Sequence, residues 1–294
     1  MDTIYTLASS TFSHDAICPE VSPKHCNDPD IVLPDHEHHQ SVTLTRLQAA
    51  LSYGLGQGWQ VSAQIPVDIK FLGVEYSLSD GTPYVPPYGN IHHRNEVLYG
   101  LGDGRLEVQH FVRIDANWVV GAGFGSTLPL GRTEVNPYAL AAKSKKHQHM
   151  QMGAGTFKPA FSISAVWSRM AWGMTAFMNG ELAMDANHKG YRPSSRINMA
   201  VGPTYRVTSK LMLASAFTIS NESQAEWAAK PDPQSGQTRG MVGASVIYRF
   251  NPQLAVMAQG KTSLFQVTQK TVMRQPFVGS LGLTWTPQGK STEP

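Results

Sequence analysis

The sequence predicts an all-β protein: an antiparallel transmembrane β-barrel of about 12 strands, with short periplasmic turns and long extracellular loops. Three observations carry this reading. Segments along the chain alternate strictly between apolar and polar side chains. The connections between them alternate between short and long. Five of the six tryptophans stand beside a short connection or at the C-terminal end.

The first segment, MDTIYTLASSTF, ends in a long stretch over 13–40, the first extracellular loop and a candidate lid or plug. In WQVSAQIPVDIKF (59–71), Trp59, Val61, Ala63, Ile65, Val67, Ile69 and Phe71 share one face, and Gln60, Ser62, Gln64, Asp68 and Lys70 share the other. Successive side chains of a strand point to opposite faces, so this strand is apolar on one side and polar on the other. The same alternation returns in TFKPAFSISAVW (156–167), RINMAVGPTYRV (196–207), RGMVGASVIYRF (239–250) and the segment ending at Trp285. Turn residues mark short connections at 56–58, 115–117, 168–169, 208–209 and 251–253. Long connections lie at 13–40, 77–103, 130–150, 185–195, 222–238 and 267–274. Trp59, Trp118, Trp167, Trp172 and Trp285 gather at the short-turn end, as an interfacial aromatic girdle would. The apolar faces are therefore expected to meet lipid and the polar faces a lumen.

Composition agrees. Charged residues make up 15% of the 294 residues, below the roughly 25% of a soluble domain, while glycine contributes 26 residues. No stretch approaches the roughly 20 apolar residues of a membrane-spanning helix. The net charge of +3 and pI of 8.8 are mildly basic. The densest basic run, Lys143 to Lys146, is a solvated loop rather than a nucleic-acid patch, so no nucleic-acid partner is expected. MDTIYTLASS lacks a basic region followed by an apolar one, so an exported chain is expected to begin after a cleavage site. Cys18 and Cys26, eight positions apart, are candidates for a disulfide in an oxidising compartment.

The phase of the strands assigns charged side chains to the lumen: Arg46, Lys70, Arg105, Arg113, Lys158, Arg196, Arg206, Arg239, Arg249 and Lys261, opposed by Asp68, Glu107 and Glu181. A basic lumen favours polar or anionic solutes. Cross-barrel pairing that merely fills the interior is the competing reading, since a 12-strand barrel lies between a filled barrel and an open porin. The histidines concentrate in stretches read as external loops. DHEHH brings His36, His38 and His39; the 92–96 stretch brings His92, His93 and Glu96; HQHMQM brings His147 and His149. Imidazole with thioether suits copper or zinc, and no cofactor beyond such a metal is expected. His110 stands alone on a strand, in phase with Leu106, Val108 and Val112. A lipid-facing histidine suits an outer-membrane phospholipase, but that chemistry needs a serine nucleophile and an orienting group beside it.

HHRNEVLYGLGDGRLEVQHF (92–111) and GSTLPLGRTEVNP (125–137), followed by HQHMQMGAGTFKPAF (147–161), resemble a bacterial outer-membrane "transporter" barrel family related to the phenol meta-pathway-associated barrels. The resemblance implies an outer-membrane location, lipid and a small solute as partners, and candidate shared positions at His92, His93, Glu96, His147 and His149. Three functional readings follow in order: passage or capture of a small polar or anionic solute; a metal-binding or structural barrel docking an outer-membrane or periplasmic partner; and, last, a phospholipase-like enzyme.

Overall fold

The computed structural model describes residues 2–15, 24, 27–30, 33–89, 91, 94–268 and 274–287. Cys18, Cys26, His25, His92 and His93 lie outside the described residues. The strands are β1 (Asp2–Asp15), β2 (His36–Gly56), β3 (Trp59–Leu78), β4 (Glu96–Leu101), β5 (Gly104–Arg113), β6 (Trp118–Leu128), β7 (Pro159–Arg169), β8 (Trp172–Glu181), β9 (Tyr191–Arg192), β10 (Arg196–Arg206), β11 (Leu211–Glu222), β12 (Glu226–Trp227), β13 (Lys230–Pro231), β14 (Gln237–Arg249), β15 (Leu254–Thr268) and β16 (Arg274–Trp285). A single-turn helix, α1 (Pro137–Ala141), is capped by the Asn136 side chain.

Each barrel strand pairs antiparallel with its neighbours, and β1 closes the cylinder by pairing with both β2 and β16. β4 and β5 both pair with β3 and form one interrupted strand, so the wall has the expected 12 strands. The little strands β9, β12 and β13 form a separate sheet in the loops.

Burial decides which face is outside. On β3, Ile65 and Phe71 are 46% and 47% exposed, while Ser62 and Asp68 are 7% and 1% exposed. A soluble core would bury the first pair and expose the second. Leu47, Leu51, Val67, Val246, Leu281 and Leu283 continue the exposed apolar belt around the wall. Such a belt is stable only against acyl chains. A closed barrel is one of the two structures that satisfies every backbone group there. Trp59, Trp118, Trp172 and Trp285 are exposed at the short-turn rim. Trp227, the sixth tryptophan, is buried in the loop sheet against Tyr191 at 4.7 Å between ring centroids.

The strands differ in height. β2 has 21 residues and β3 has 20, against 10 in β8. At about 3.3 Å per residue and a tilt near 40°, the β2–β3 hairpin rises about 50 Å, roughly twice the 25 Å apolar band. Its upper half stands above the membrane. The structure therefore corrects the first-loop boundary: residues 13–15 and 36–40 extend β1 and β2 instead of lying in a loop. His36, His38 and His39 are strand residues for the same reason. The short turn expected at 168–169 falls two residues later, at 170–171, between β7 and β8.

The break between β4 and β5 re-aims the chain. Two residues of β3, Ile65 and Pro66, face three opposite, 102–104, between the Val67–Leu101 and Gln64–Arg105 pairs. Pro66 has no N–H to give the ladder, so a bulge here loses little. The Gly102 N–H donates to the Pro66 carbonyl at 2.9 Å. The extra residue flips the phase: Leu98 and Gly100 face inward above the break, Arg105 and Glu107 below it.

Candidate functional site: a charged chamber inside the barrel

Asp103, set inward by that bulge, holds the connection between β6 and β7. One carboxylate oxygen accepts from the Gly131 N–H at 3.2 Å, and the other from the Ala154 N–H at 2.7 Å. Gly131 and Gly153 pass so closely that a Cβ on Gly153 would stand 2.6 Å from the Gly131 Cα, so larger residues would force the two backbone runs apart. Thus 129–158 folds into the barrel mouth instead of standing above it. Asn187 and Lys189, from the next loop, donate to the Ala154 and Thr133 carbonyls and lock it from above. The Tyr138 hydroxyl donates to Asp232 at 2.7 Å and ties α1 to the β13–β14 connection.

Two abutting cavities remain inside, of about 620 and 380 Å³. Both are lined by Arg46, Lys70, Glu181, Tyr191, Ser194 and Arg196. Most charges here are paired, either across neighbouring strands, where inward residues stand opposite, or two residues apart along one segment, on the same face. Arg46 grips Asp68 with two hydrogen bonds of 2.6 and 2.8 Å. Arg105 meets Glu107 at 3.1 Å, and Arg196 meets Glu222 at 3.2 Å. Lys158 pairs with Glu181, and Arg94 with Glu96. Two cations of the larger cavity differ. Lys70 donates to the Gln151 carbonyl at 2.6 Å, and among the described residues neither it nor Arg239 forms an ion pair. The Nε of Arg239 is buried without a hydrogen-bond partner.

Toward the short-turn end the inner wall changes character. Phe111, Gly121, Ser164 and Phe177 are register neighbours across β5 to β8. They line a niche of about 190 Å³ together with Gln109, Ser162 and Asn179. The Phe111 ring lies over Gly121, where a Cβ would meet it at 2.5 Å. Arg113, Arg206 and Arg249 stand beyond, exposed at the rim.

Among the described residues the histidines fall into separate groups. His36 and His38 point inward beneath the loops and share the hydroxyl of buried Tyr88, with Tyr76 and Tyr84 packed around them. His39 lies on the opposite face, 2.8 Å from Ser77. His147 and His149 form a second group in the mouth, with ring centroids 5.2 Å apart and His149 against Tyr138. Burial holds His147 below the ordinary imidazole value of 6.5. Glu96 is taken by Arg94 and Gln148. Among the described residues no three histidine, cysteine or acidic side chains stand so as to hold a metal ion. His110 sits at the short-turn rim, its Nε2 3.2 Å from the Gln57 carbonyl and its ring against Trp59.

No protein-family model and no curated protein matches the chain. Solved structures do. The COG4313 outer membrane channel from Pseudomonas putida F1 superposes with a TM-score of 0.58 at 12% identity, over 97% of this chain and 94% of that one. A ΔS2S3 mutant of the monoaromatic hydrocarbon channel TodX gives a TM-score of 0.51 at 10% identity, over 97% of this chain and 89% of that one. The chain is an outer-membrane β-barrel. At these identities the likeness is one of fold, and the barrel's function has to come from its own interior.

Sequence reasoning missed Asp103, Glu222 and Arg94. Asp103 had a local signal: the phase of inward residues breaks across Gly102-Asp103-Gly104. Glu222 and Arg94 carried none, because each is placed by a loop or strand end whose position depends on distant contacts.

Proposed function

We propose that the barrel gives passage to a small anionic solute. The observation that carries this reading is the pair Lys70 and Arg239. Both line the larger cavity, and neither forms an ion pair with a carboxylate of the described residues. The paired residues Arg46, Asp68, Arg105, Lys158, Glu181 and Arg196 line the smaller cavity beside it, with Glu107 holding Arg105. Arg113, Arg206 and Arg249 extend the positive field to the periplasmic exit, where exposed guanidiniums steer anions over a Debye length of about 8–10 Å.

Reversal potentials in planar bilayers under a potassium chloride gradient test the reading. The expected result is anion preference, falling when Lys70→Glu and Arg239→Glu are combined. A barrel that stays silent, or that prefers cations, overturns it. A second reading, an aromatic solute of the kind the meta-pathway resemblance suggests and the TodX name states, is favoured by the Phe111–Phe177 niche. Its test is benzene or toluene uptake across the intact outer membrane of cells carrying the barrel, lost in the Phe111→Ala, Phe177→Ala variant.

A further inference from the structure

We infer that the larger cavity is a binding site for a hydroxylated carboxylate of sugar-acid type. This deepens, and rests on, the reading of the lumen as an anion path. The charge requirement follows from Lys70 and Arg239. The rest follows from the remaining lining.

Amide side chains recur in it, between the charged pairs and the acids Glu181, Glu222 and Asp232. Gln40, Gln148, Gln234, Gln237 and Gln275 enter from five different segments. Much of their capacity is spent internally: Gln148 donates to Glu96 and accepts from the Met150 N–H, Gln237 accepts from Gln266 at 3.0 Å and hydrogen-bonds Glu222, and Gln40 is engaged as well, so Gln234 and Gln275 carry the recognition. Ser220 donates to Asn198 at 2.7 Å, which leaves its own oxygen free to accept. A surface of this kind offers donors and acceptors at close spacing. It penalises any occupant that cannot return them, because each buried polar group left unmade costs about 1–3 kcal/mol. Water returns them, and so does a polyol.

The cavity also has one apolar patch. Val42 and Leu72 are direct cross-strand partners on the inner face of β2 and β3, immediately above Leu44 and Lys70. A pyranose ring presents hydroxyls at its edge and C–H groups on its faces, so it suits a wall that is amide-rich with one aliphatic strip. The cation Lys70 adjoins that strip in register, which places a ring carboxylate beside its ammonium while the ring face lies on Val42 and Leu72. At about 620 Å³ the cavity falls within the range that holds a small ligand.

The test separates hydroxyls from charge and ring size. Glucuronate, cyclohexanecarboxylate and benzoate each carry one carboxylate on a six-membered ring. Their binding to the full chain in detergent micelles is measured by ligand-observed NMR, alongside the bilayer recordings of anion preference. The expected result is glucuronate at least tenfold tighter than either of the others. In Gln234→Leu, Gln275→Leu the ratio of glucuronate to cyclohexanecarboxylate affinity should fall at least threefold. Equal binding of glucuronate and cyclohexanecarboxylate overturns the inference, and so does tighter binding of benzoate, while anion-selective conductance would leave the passage reading standing. Silent bilayers with selective glucuronate binding would do the reverse: the site survives as a capture site and passage falls.

Discussion

The upper and lower halves of the lumen are built from the same 12 strands and obey the same inward–outward alternation, yet they are filled by different means. Above the level of Arg105 and Glu107, most inward charges are set against a charge or a backbone group of their neighbours, Arg239 excepted, and 129–158 folds into the mouth. Below it, the wall carries Gly121, Ser164, Phe111 and Phe177, and the arginines at the rim are exposed. The upper half is where a buried charge must find a partner; the lower half leaves its cations to water. Resistance to flow and discrimination are therefore concentrated above, and substitutions in the two halves should differ sharply.

The largest effect is expected from Arg46→Ala. It strands the carboxylate of Asp68, which is 1% exposed. The loss should be about 3 kcal/mol, the low end for a broken buried pair because Lys70 remains two residues away on the same face. Urea unfolding in micelles, followed by tryptophan fluorescence, measures it. An unchanged midpoint would mean that the upper half is wetter than its geometry implies.

Asp103→Ala comes next. Removing both acceptors frees Gly131 and Ala154, and the loop should leave the mouth for part of the time. Single-channel conductance is expected to rise several-fold, with frequent transitions between levels. The matching substitution on the bare wall, Phe111→Ala, should change conductance far less, and equal effects would erase the contrast between the halves.

A smaller effect is expected from pH. Burial lowers the His147 pKa in the folded barrel relative to 6.5, so the docked loop holds His147 neutral. The undocked form then binds the proton more readily. The docking free energy tied to this group is fully present above about pH 6.5 and is lost as pH falls through that value toward the lowered one. Arg94, which donates to the His147 carbonyl, adds to the repulsion once the ring is charged. Hydrogen-exchange protection of 129–158, corrected for the intrinsic pH dependence of amide exchange, should fall on going from pH 7.5 to 5.5, and His147→Gln should flatten that dependence. The smallest effect belongs to Arg206→Ala at the exposed rim. Stability should move by less than about 0.5 kcal/mol, with only the salt dependence of anion preference reduced.

Much of the lower half could be read directly in the sequence, because it depends only on strand phase. Arg113, Arg206 and Arg249 lie on inward positions by parity alone, and the tryptophans announce the rim. The upper half resisted. Parity put Arg46, Asp68, Lys158 and Glu181 inside, but it could not show that Arg46 takes Asp68 and leaves Lys70 without an acid. The placement of DHEHH in a loop is corrected for a related cause. DHEHH looks like a loop cluster in one dimension, whereas strand alternation sends His38 inward to Tyr88 and His39 outward to Ser77.

By itself, the sequence determined the period-two pattern, its apolar rows, the alternation of short and long connections, and hence a barrel that wears its oily side outward. Those are local properties, fixed by which side chains stand two apart. Only the tertiary structure decided the register that matches each charge to its partner, the bulge that turns Asp103 inward, and the loop it holds in the mouth. These depend on residues such as Asp103 and Ala154, 51 positions apart in the chain. No local propensity encodes that meeting; it arises because a buried carboxylate and buried N–H groups must satisfy each other once the wall has closed.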